Sequence, residues 1–499
     1  MAEGSVSGGL TRATMSGLFW TFLSSGAQAV LQLLVLVLLA RLLPPASFGI
    51  VQAALLVVGF SLIFSQLGVG PAIVQRPGLT SVHIRTGFTL SWLFGAAMTL
   101  LTWLLAPVMA RFFHMEELDA VVKAMSCVFL VQGACVVAES LVQRELRFRL
   151  LAVIEIAAFA GGFGVVGVAM ALLGFGLWAL VGANLVQTVL KAALLLAFER
   201  HPKAFLLDRT AMKELLYFGG GFTVARLGNY LAGQGDSLVV GRYLGADALG
   251  LYGRAYQLMT APATLLGQAV DRALFPAMAK VQHQSERLEL AYRRGVALLA
   301  LVMLPVSIPL CVFAREVTLA LLGPSWTGAV RPLQIFALGL LFRTSYKMSD
   351  SIARATGAVY RRAWRQGVFG VLVTLGAWIG QYWGISGAAI GVTVAIGINF
   401  ALMAHLSLIL ADMRWSTFWQ AHVPAMRLTV IFSVESLILA WGLRALSWPP
   451  AAILAGSGIV LSVTVFVLFR SAPLWILGSD GQWMLGQLAS YLPKGDKGR

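Results

Sequence analysis

Arg343, Lys347, Asp350 and Arg354 follow one another at spacings of four, three and four residues within a segment, 330–352, that is otherwise largely apolar. On a helix those spacings set all four on one face. Arg343 falls about 12 residues into the segment, near the middle of a bilayer at a rise of about 1.5 Å per residue. A second set, Arg226, Asn229 and Tyr230, shares a face at similar depth in segment 215–240, with Asp236 closer to the far end. A third set, Thr21, Ser25, Gln28 and Gln32, repeats the spacing of four, three and four in segment 18–39. Charged and strongly polar side chains are expensive in lipid and by default mark a pathway or a ligand site. Together they predict a ligand cavity with positive charge on one wall.

Simpler structural roles compete at several positions. Lys347 can snorkel to the interface. Asp350 can be the structural partner of Lys347 or Arg354. Asp236 can serve Arg226, hold a coupling cation, or cap a bend among Gly233, Gly235 and Gly241. Glu155 and Glu435 have no evident partner in the sequence, and helix–helix hydrogen bonding is weighed above proton coupling for both. Arg226 and Arg343 resist such readings, because neither has an acidic residue within one turn of its own helix.

The elements that must position these residues are membrane spans. The chain of 499 residues is 59% hydrophobic and only 12% charged, where a soluble domain carries roughly 25% charged residues. Fourteen apolar segments are each long enough to cross a bilayer, for which about 20 residues suffice. Most of the 37 Lys and Arg fall in alternate connections, as at Arg144, Arg147 and Arg149 or Arg361, Arg362 and Arg365. Basic residues collect on the cytoplasmic side, so both termini are expected there. Met1–Ser16 is small and polar and reads as a short tail, not a cleaved signal. The segment from His201 to Glu214 mixes apolar and basic residues and is expected to lie on the membrane surface as a linker helix. Gln482–Leu492 is expected to be a second surface helix, and Lys494–Arg499 a disordered tail.

The chain repeats itself. Arg41-Leu42-Leu43-Pro44-Pro45-Ala46-Ser47-Phe48-Gly49 is answered by Arg242-Tyr243-Leu244-Gly245-Ala246-Asp247-Ala248-Leu249-Gly250, at an offset of 201 residues. That offset matches Ser25 with Arg226 and Gln28 with Asn229, and an offset of 211 matches Gln132 with Arg343. The same faces are polar in both halves, but only the second is cationic. The expected fold is an all-α polytopic membrane protein of fourteen transmembrane helices, with two pseudo-repeated six-helix lobes and two extra C-terminal helices. The expected boundaries are 1–205 for the N-terminal lobe, 206–412 for the C-terminal lobe with the linker helix at its start, and 413–499 for the last two spans and tail. Such repeats suit a transporter whose halves rock about a central site.

Other function classes find no support. No Gly-x-x-x-x-Gly-Lys-Ser/Thr phosphate loop is present, and the six His are scattered. The net charge of +16 is spread over many short loops, so no nucleic-acid partner is expected. Cys127, Cys135 and Cys311 sit in apolar runs without metal or redox spacing, and read as small hydrophobes.

Between about Ala40 and Gly391 the sequence resembles the Wzx/WzxC-type polysaccharide exporters of the MATE-like flippase superfamily. The resemblance rests on Arg41 to Gly49, Gln143-Arg144-Glu145-Leu146-Arg147-Phe148, Asn229-Tyr230, Asp236, the run Gly250 to Leu258, Phe275-Pro276 and Leu322-Gly323-Pro324-Ser325-Trp326. It implies a non-enzymatic flippase that moves an oligosaccharide linked to undecaprenyl pyrophosphate across a bacterial inner membrane by alternating access. It also implies membrane lipids as surroundings, with a polysaccharide polymerase and a chain-length regulator nearby. No cofactor is expected; an H⁺ or Na⁺ gradient, or the membrane potential alone, would drive turnover. Charge and depth assign Arg226, Arg343 and Lys347 to the anionic head. Gln28, Gln32 and Asn229 would meet sugar hydroxyls beside Ser25 and Tyr230, and Asp236 and Asp350 would serve as coupling or charge partners. Two alternatives remain: another cargo on the same fold, such as lipid II or a drug, and a membrane polysaccharide polymerase, which would typically carry a large external loop.

Overall fold

A computed structural model of the chain describes residues 28–471, 475–478 and 480–482 together with Gly26. Ser25, most of the expected surface helix Gln482–Leu492 and the expected tail Lys494–Arg499 lie outside the described residues. Among the described residues all regular structure is helical. Nine described helical stretches are long and apolar enough to cross a membrane, which makes this a multi-pass membrane protein.

The chain divides into two compact units, residues 1–253 and 254–499. The first contains α1 (Gln28–Leu42), α2 (Pro45–Gln66), α3 (Val69–Gln75), α4 (Ser81–Phe113), α5 (Glu117–Arg144) and α6 (Phe148–Phe159). A wide π-helical stretch, Ala160–Gly167, joins α6 to α7 (Val168–Leu172), and α8 (Leu177–Phe198) follows. Helix α9 (Arg209–Lys280) carries the chain out of this unit; it is two limbs that meet at Gly245, whose φ of 85° and ψ of −176° interrupt the helix. The second unit holds α10 (Ser285–Val312), α11 (Ala314–Leu321), α12 (Val330–Leu338), α13 (Leu340–Ala355), α14 (Val359–Gly380), α15 (Gly384–Ala411), α16 (Trp415–Ala445) and α17 (Pro450–Ser471).

Two expectations about these elements need correcting. The stretch 201–208 is not helical; helix resumes only at Arg209 and runs straight into the next span. The link is pinned to α4 instead: Arg85 Nε donates to Ala204 O at 3.2 Å and Leu206 N donates to Thr89 Oγ1 at 2.9 Å. The expected span 330–352 is also not one helix. It breaks at Gly339 into α12 and α13.

Both copies of the repeated signature form corners, by different means. In the first, Pro44 and Pro45 separate α1 from α2; Pro45 takes the first helical position, where its missing N–H costs nothing. In the second, Gly245 makes the corner by adopting positive φ. The two corners then dock. A β-carbon on Gly49 would lie 1.7 Å from Ala246 O, and one on Gly250 would lie 2.0 Å from Pro45 O. The matched glycines therefore let two backbones touch. In lipid, where apolar burial drives helices together only weakly, such close packing supplies much of the cohesion.

Within the first unit, Val69, Ile73, Phe88, Val137, Leu141 and Leu215 form one core cluster, and Cys135, Ala138, Val142, Ile154 and Leu195 another. Cys135 is thus a buried small hydrophobe, whereas Cys127 is exposed. Arg144, in the Gln-Arg-Glu motif that ends α5, donates through Nη1 to Ile73 O, Val74 O and Arg76 O at 2.8, 3.1 and 2.7 Å. It closes the C-terminal carbonyls of α3 and fixes that end of the unit. In the second unit Tyr292, Leu299, Met348, Ile352, Phe400 and Phe418 share a core, and Arg444 grips the buried Glu316 with two bonds of 2.8 Å.

Candidate functional site

A polar cavity of about 590 Å³ opens in the first unit, walled by one face each of α2, α5, α8 and α9. That volume lies within the roughly 300–1,000 Å³ of ordinary ligand sites. The helix period explains the lining. Leu55, Gly59, Leu62 and Gln66 recur on α2; Gln132, Val136, Glu139 and Gln143 recur on α5; Asn184, Gln187, Thr188 and Lys191 recur on α8. Arg226 enters from the first limb of α9.

Two connected sets of polar groups organise the wall. Gln66 Nε2 donates to Gln132 Oε1 at 3.2 Å, and Arg226 Nη1 donates to Gln66 Oε1 at 2.9 Å. The guanidinium is therefore anchored on a carboxamide pair from two other helices. Across the cavity, Lys191 Nζ donates to Glu139 Oε1 at 2.9 Å and lies 3.7 Å from Glu155 Oε1. Glu155, which has no partner legible in its own stretch of sequence, is part of this ion cluster. Glu435 accepts from Thr464 Oγ1 at 2.6 Å, a helix–helix hydrogen bond between α16 and α17. The π-helical stretch that follows α6 brings α8 to the cavity: a β-carbon on Gly162 would meet Ala183 O and Gln187 Cβ at 2.6 Å. Such wide turns recur at functional sites.

The other expected site residues are placed as follows. Tyr230 lies one turn beyond Arg226, half-buried, and its hydroxyl donates to Leu56 O at 2.7 Å. Asn229 is exposed. Asp236 is 3% exposed; Ser237 N donates to its Oδ1 at 2.7 Å and Tyr252 Oη donates to its Oδ2 at 2.8 Å. It thereby ties the two limbs of α9 together across the Gly245 corner. Gln28 is half-buried and Gln32 exposed on α1, and neither lines the polar cavity.

In the second unit, the Arg343 guanidinium lies 5.7 Å from the Tyr256 ring centre and 5.8 Å from that of Tyr346, both within cation–π range. Lys347 packs its stem where a β-carbon on Gly267 would come within 2.6 Å of its Cδ. Asp350 pairs with Arg354 at 3.1 Å and with Arg362.

The sequence alone assigned none of Glu139, Gln143, Asn184, Gln187 and Thr188 to a ligand site, although Gln143 belongs to a motif of the resemblance, and it gave Lys191 only as a charge on the cytoplasmic side. The signal was present: Asn184, Gln187 or Thr188, and Lys191 recur at helical spacing in an apolar span.

This all-helical membrane bundle with polar groups converging inside it shares its fold with solved membrane transporters. A solved structure of the lipid II flippase MurJ in an inward closed conformation superposes with a TM-score of 0.71 at 12% identity, covering 91% of this chain and 99% of that one. An inward-facing multidrug resistance MATE family transporter gives 0.56 at 16% identity, covering 80% and 94%. At those identities the likeness is one of fold. In sequence, residues 38–331 match the polysaccharide biosynthesis protein family, and the chain belongs to that family. Its relatives include the teichuronic acid biosynthesis protein TuaB of Bacillus subtilis (strain 168), 28% identical over 70% of this chain and 72% of that protein. The lipopolysaccharide biosynthesis protein WzxC of Escherichia coli (strain K12) is 24% identical over 87% of this chain and 88% of that protein. These likenesses agree with the Wzx/WzxC-type resemblance of the sequence motifs.

Proposed function

We propose that the protein is a flippase that moves lipid-linked oligosaccharide units from the inner to the outer leaflet of a bacterial inner membrane, for surface or exopolysaccharide assembly. The observation that carries this reading is the polar cavity with Arg226 held on Gln66, itself bonded to Gln132, in a chain of this family. An undecaprenyl-pyrophosphate head needs cations shielded from water, and glycan hydroxyls need carboxamides and hydroxyls; the cavity offers both. The names of TuaB and WzxC support an envelope polysaccharide as the destination.

In this reading the chain crosses the membrane fourteen times, with two six-helix lobes, two additional C-terminal helices and both ends in the cytoplasm. The cavity lies toward the C-terminal ends of α2 and α5, the end of the connections that hold Arg76, Arg144 and Arg147, which is cytoplasmic when basic connections face inward. Alternating access driven by an H⁺ or Na⁺ gradient would then deliver the head outward, with no chemical step and no cofactor. Arg343 and Lys347 would serve as further cationic contacts for an anionic head, and a polymerase and chain-length regulator would receive the product.

The test is transfer of a labelled undecaprenyl-pyrophosphate oligosaccharide across liposomes containing the purified protein, with lipid II as a second cargo. Transfer of the oligosaccharide by wild type and its loss in folded Arg226→Ala supports the reading. Equal transfer by both removes Arg226 from the site. Transfer of lipid II alone moves the assignment to that cargo.

A further inference from the structure

The polar cavity has an apolar neighbour. On the other side of the contact between α2 and the first limb of α9 lies a groove of about 550 Å³, walled also by α4 and lined by Phe60, Met98, Leu101, Leu105, Phe112 and Leu231 among others. Two faces of α2 line the two chambers: Leu55, Gly59 and Leu62 face the polar cavity, while Leu56, Phe60 and Phe64 face the groove. On α9, Arg226 lines the cavity and Tyr230, one turn later, lines the groove. The few polar groups of the groove are largely spent on the protein: Thr102 donates to Ser61 at 3.3 Å and Tyr230 to Leu56 O.

The partition between the chambers is thin and glycine-backed. A β-carbon on Gly59 would meet the Tyr230 hydroxyl at 2.9 Å and its ring at 3.0 Å, and one on Gly219 would meet Leu67 O at 2.1 Å. The groove runs onto the outer flank of α4, where Leu100, Leu101, Leu104 and Leu105 are 61, 46, 57 and 41% exposed. In a membrane protein an apolar surface of that kind faces acyl chains. A polar chamber and an apolar one on either side of a single side-chain contact match a ligand with a charged head and a long hydrocarbon tail.

We propose that the groove between α2, α4 and α9 holds the polyprenyl chain of the lipid-linked substrate while its anionic head occupies the polar cavity. The chain enters the protein through the seam where Gly59 faces Tyr230. This assignment rests on the flippase reading for the identity of the lipid. Tyr230 is the positioning residue of the seam: its hydroxyl, bonded to Leu56 O, holds the partition closed, and rotation of its ring joins the chambers.

The test uses the full chain in nanodiscs with two photoreactive probes, a diazirine-bearing undecaprenyl diphosphate without a glycan and a phosphatidylglycerol bearing the same diazirine. Labelled peptides are read by mass spectrometry. The expected result is polyprenyl labelling on the α2 and α4 peptides around Phe60 and Leu101, at least fivefold above the phospholipid. That labelling should fall at least fivefold in Leu101→Trp, which fills the groove from an exposed position. Binding of a short-chain diphosphate oligosaccharide by the same variant should be unchanged, which also reports that it is folded; Leu105→Trp repeats the test at a second site. Equal labelling by the phospholipid, labelling confined to other helices, or undiminished labelling in both Trp variants overturns the proposal. Labelling needs no transfer. A protein that labels in the groove but moves no glycan keeps the groove and sinks the flippase reading, whereas transfer without groove labelling does the reverse.

Discussion

Arg226 Nη1 lies 2.9 Å from Gln66 Oε1, so the cation expected from sequence to meet the ligand is held by a residue that sequence reading had no reason to choose. Gln66 is the last residue of α2, and its own amide donates on to Gln132 of α5. The guanidinium is positioned from two helices at once.

Replacing Gln66 by Leu removes the acceptor while keeping the bulk. A hydrogen bond to a charged group is worth about 1.5–3 kcal/mol, so binding of the diphosphate head should weaken about tenfold or more. Gln66→Glu keeps an acceptor for Arg226 but adds a negative charge beside the diphosphate, so it too should bind more weakly than wild type. Equilibrium binding to purified protein checks both, and affinities equal to wild type would remove the relay from the site.

Lys191, on the cavity wall, pairs with Glu139 there and lies 3.7 Å from Glu155. Lys191→Met should leave two carboxylates facing one another and cost about 1–3 kcal/mol of stability. Adding Glu139→Gln to that variant should recover part of the loss, because coupled sites are non-additive. Thermal unfolding in detergent measures the cycle; additive losses would show that the pair is not coupled.

The docked corners make Gly49 and Gly250 intolerant of any side chain. Gly49→Ala and Gly250→Ala should each cost about 1–3 kcal/mol, the ordinary penalty of overpacking, or force the corners apart. A cysteine pair at Ala46 and Asp247 would report separation as a loss of cross-linking. Full stability with undiminished cross-linking in either variant would contradict the contact.

His201, in the link between α8 and α9, is buried against Phe88, with ring centres 5.7 Å apart. Burial, with a smaller contribution from Lys203, holds its pKa below the ordinary 6.5. A depressed pKa means that the unfolded chain takes the proton first, so stability is full above about 6.5 and falls as pH drops below it. Glu214 acts in a lower window. His83 first, and then Arg76, hold its carboxyl below the ordinary 4.5, so its contribution is lost only as pH falls beneath that value. Thermal unfolding between pH 7.5 and 5.5 should show the first loss in wild type and a smaller one in His201→Phe.

The membrane class, the apolar spans and the repeated signature were legible, because length, hydropathy and residue matching are properties of the chain itself. Helix rotation was not. Lys191 could be counted as a charge near one end of its span, but only packing turns it toward Glu139 and the cavity. The Gly339 break escaped notice because one glycine in an apolar run sends almost no local signal. The pairing of Asp350 with Arg362 spans a turn whose path only the fold defines. The polar face of α1 shows the converse: a helical spacing of Gln28 and Gln32 establishes a shared side, not what that side meets.

The two signature corners differ in stiffness. Pro44 and Pro45 lock the first, since each ring fixes one backbone torsion, while the second rests on Gly245, whose torsions are held only by the Asp236–Tyr252 bond and the docked corner. A pair of arms clamped together at their tips, one on a rigid elbow and one on a soft elbow, does not share strain equally. The first corner is set by covalent geometry and the second by contacts, so a loss of packing acts on the Gly245 corner before it reaches the proline one.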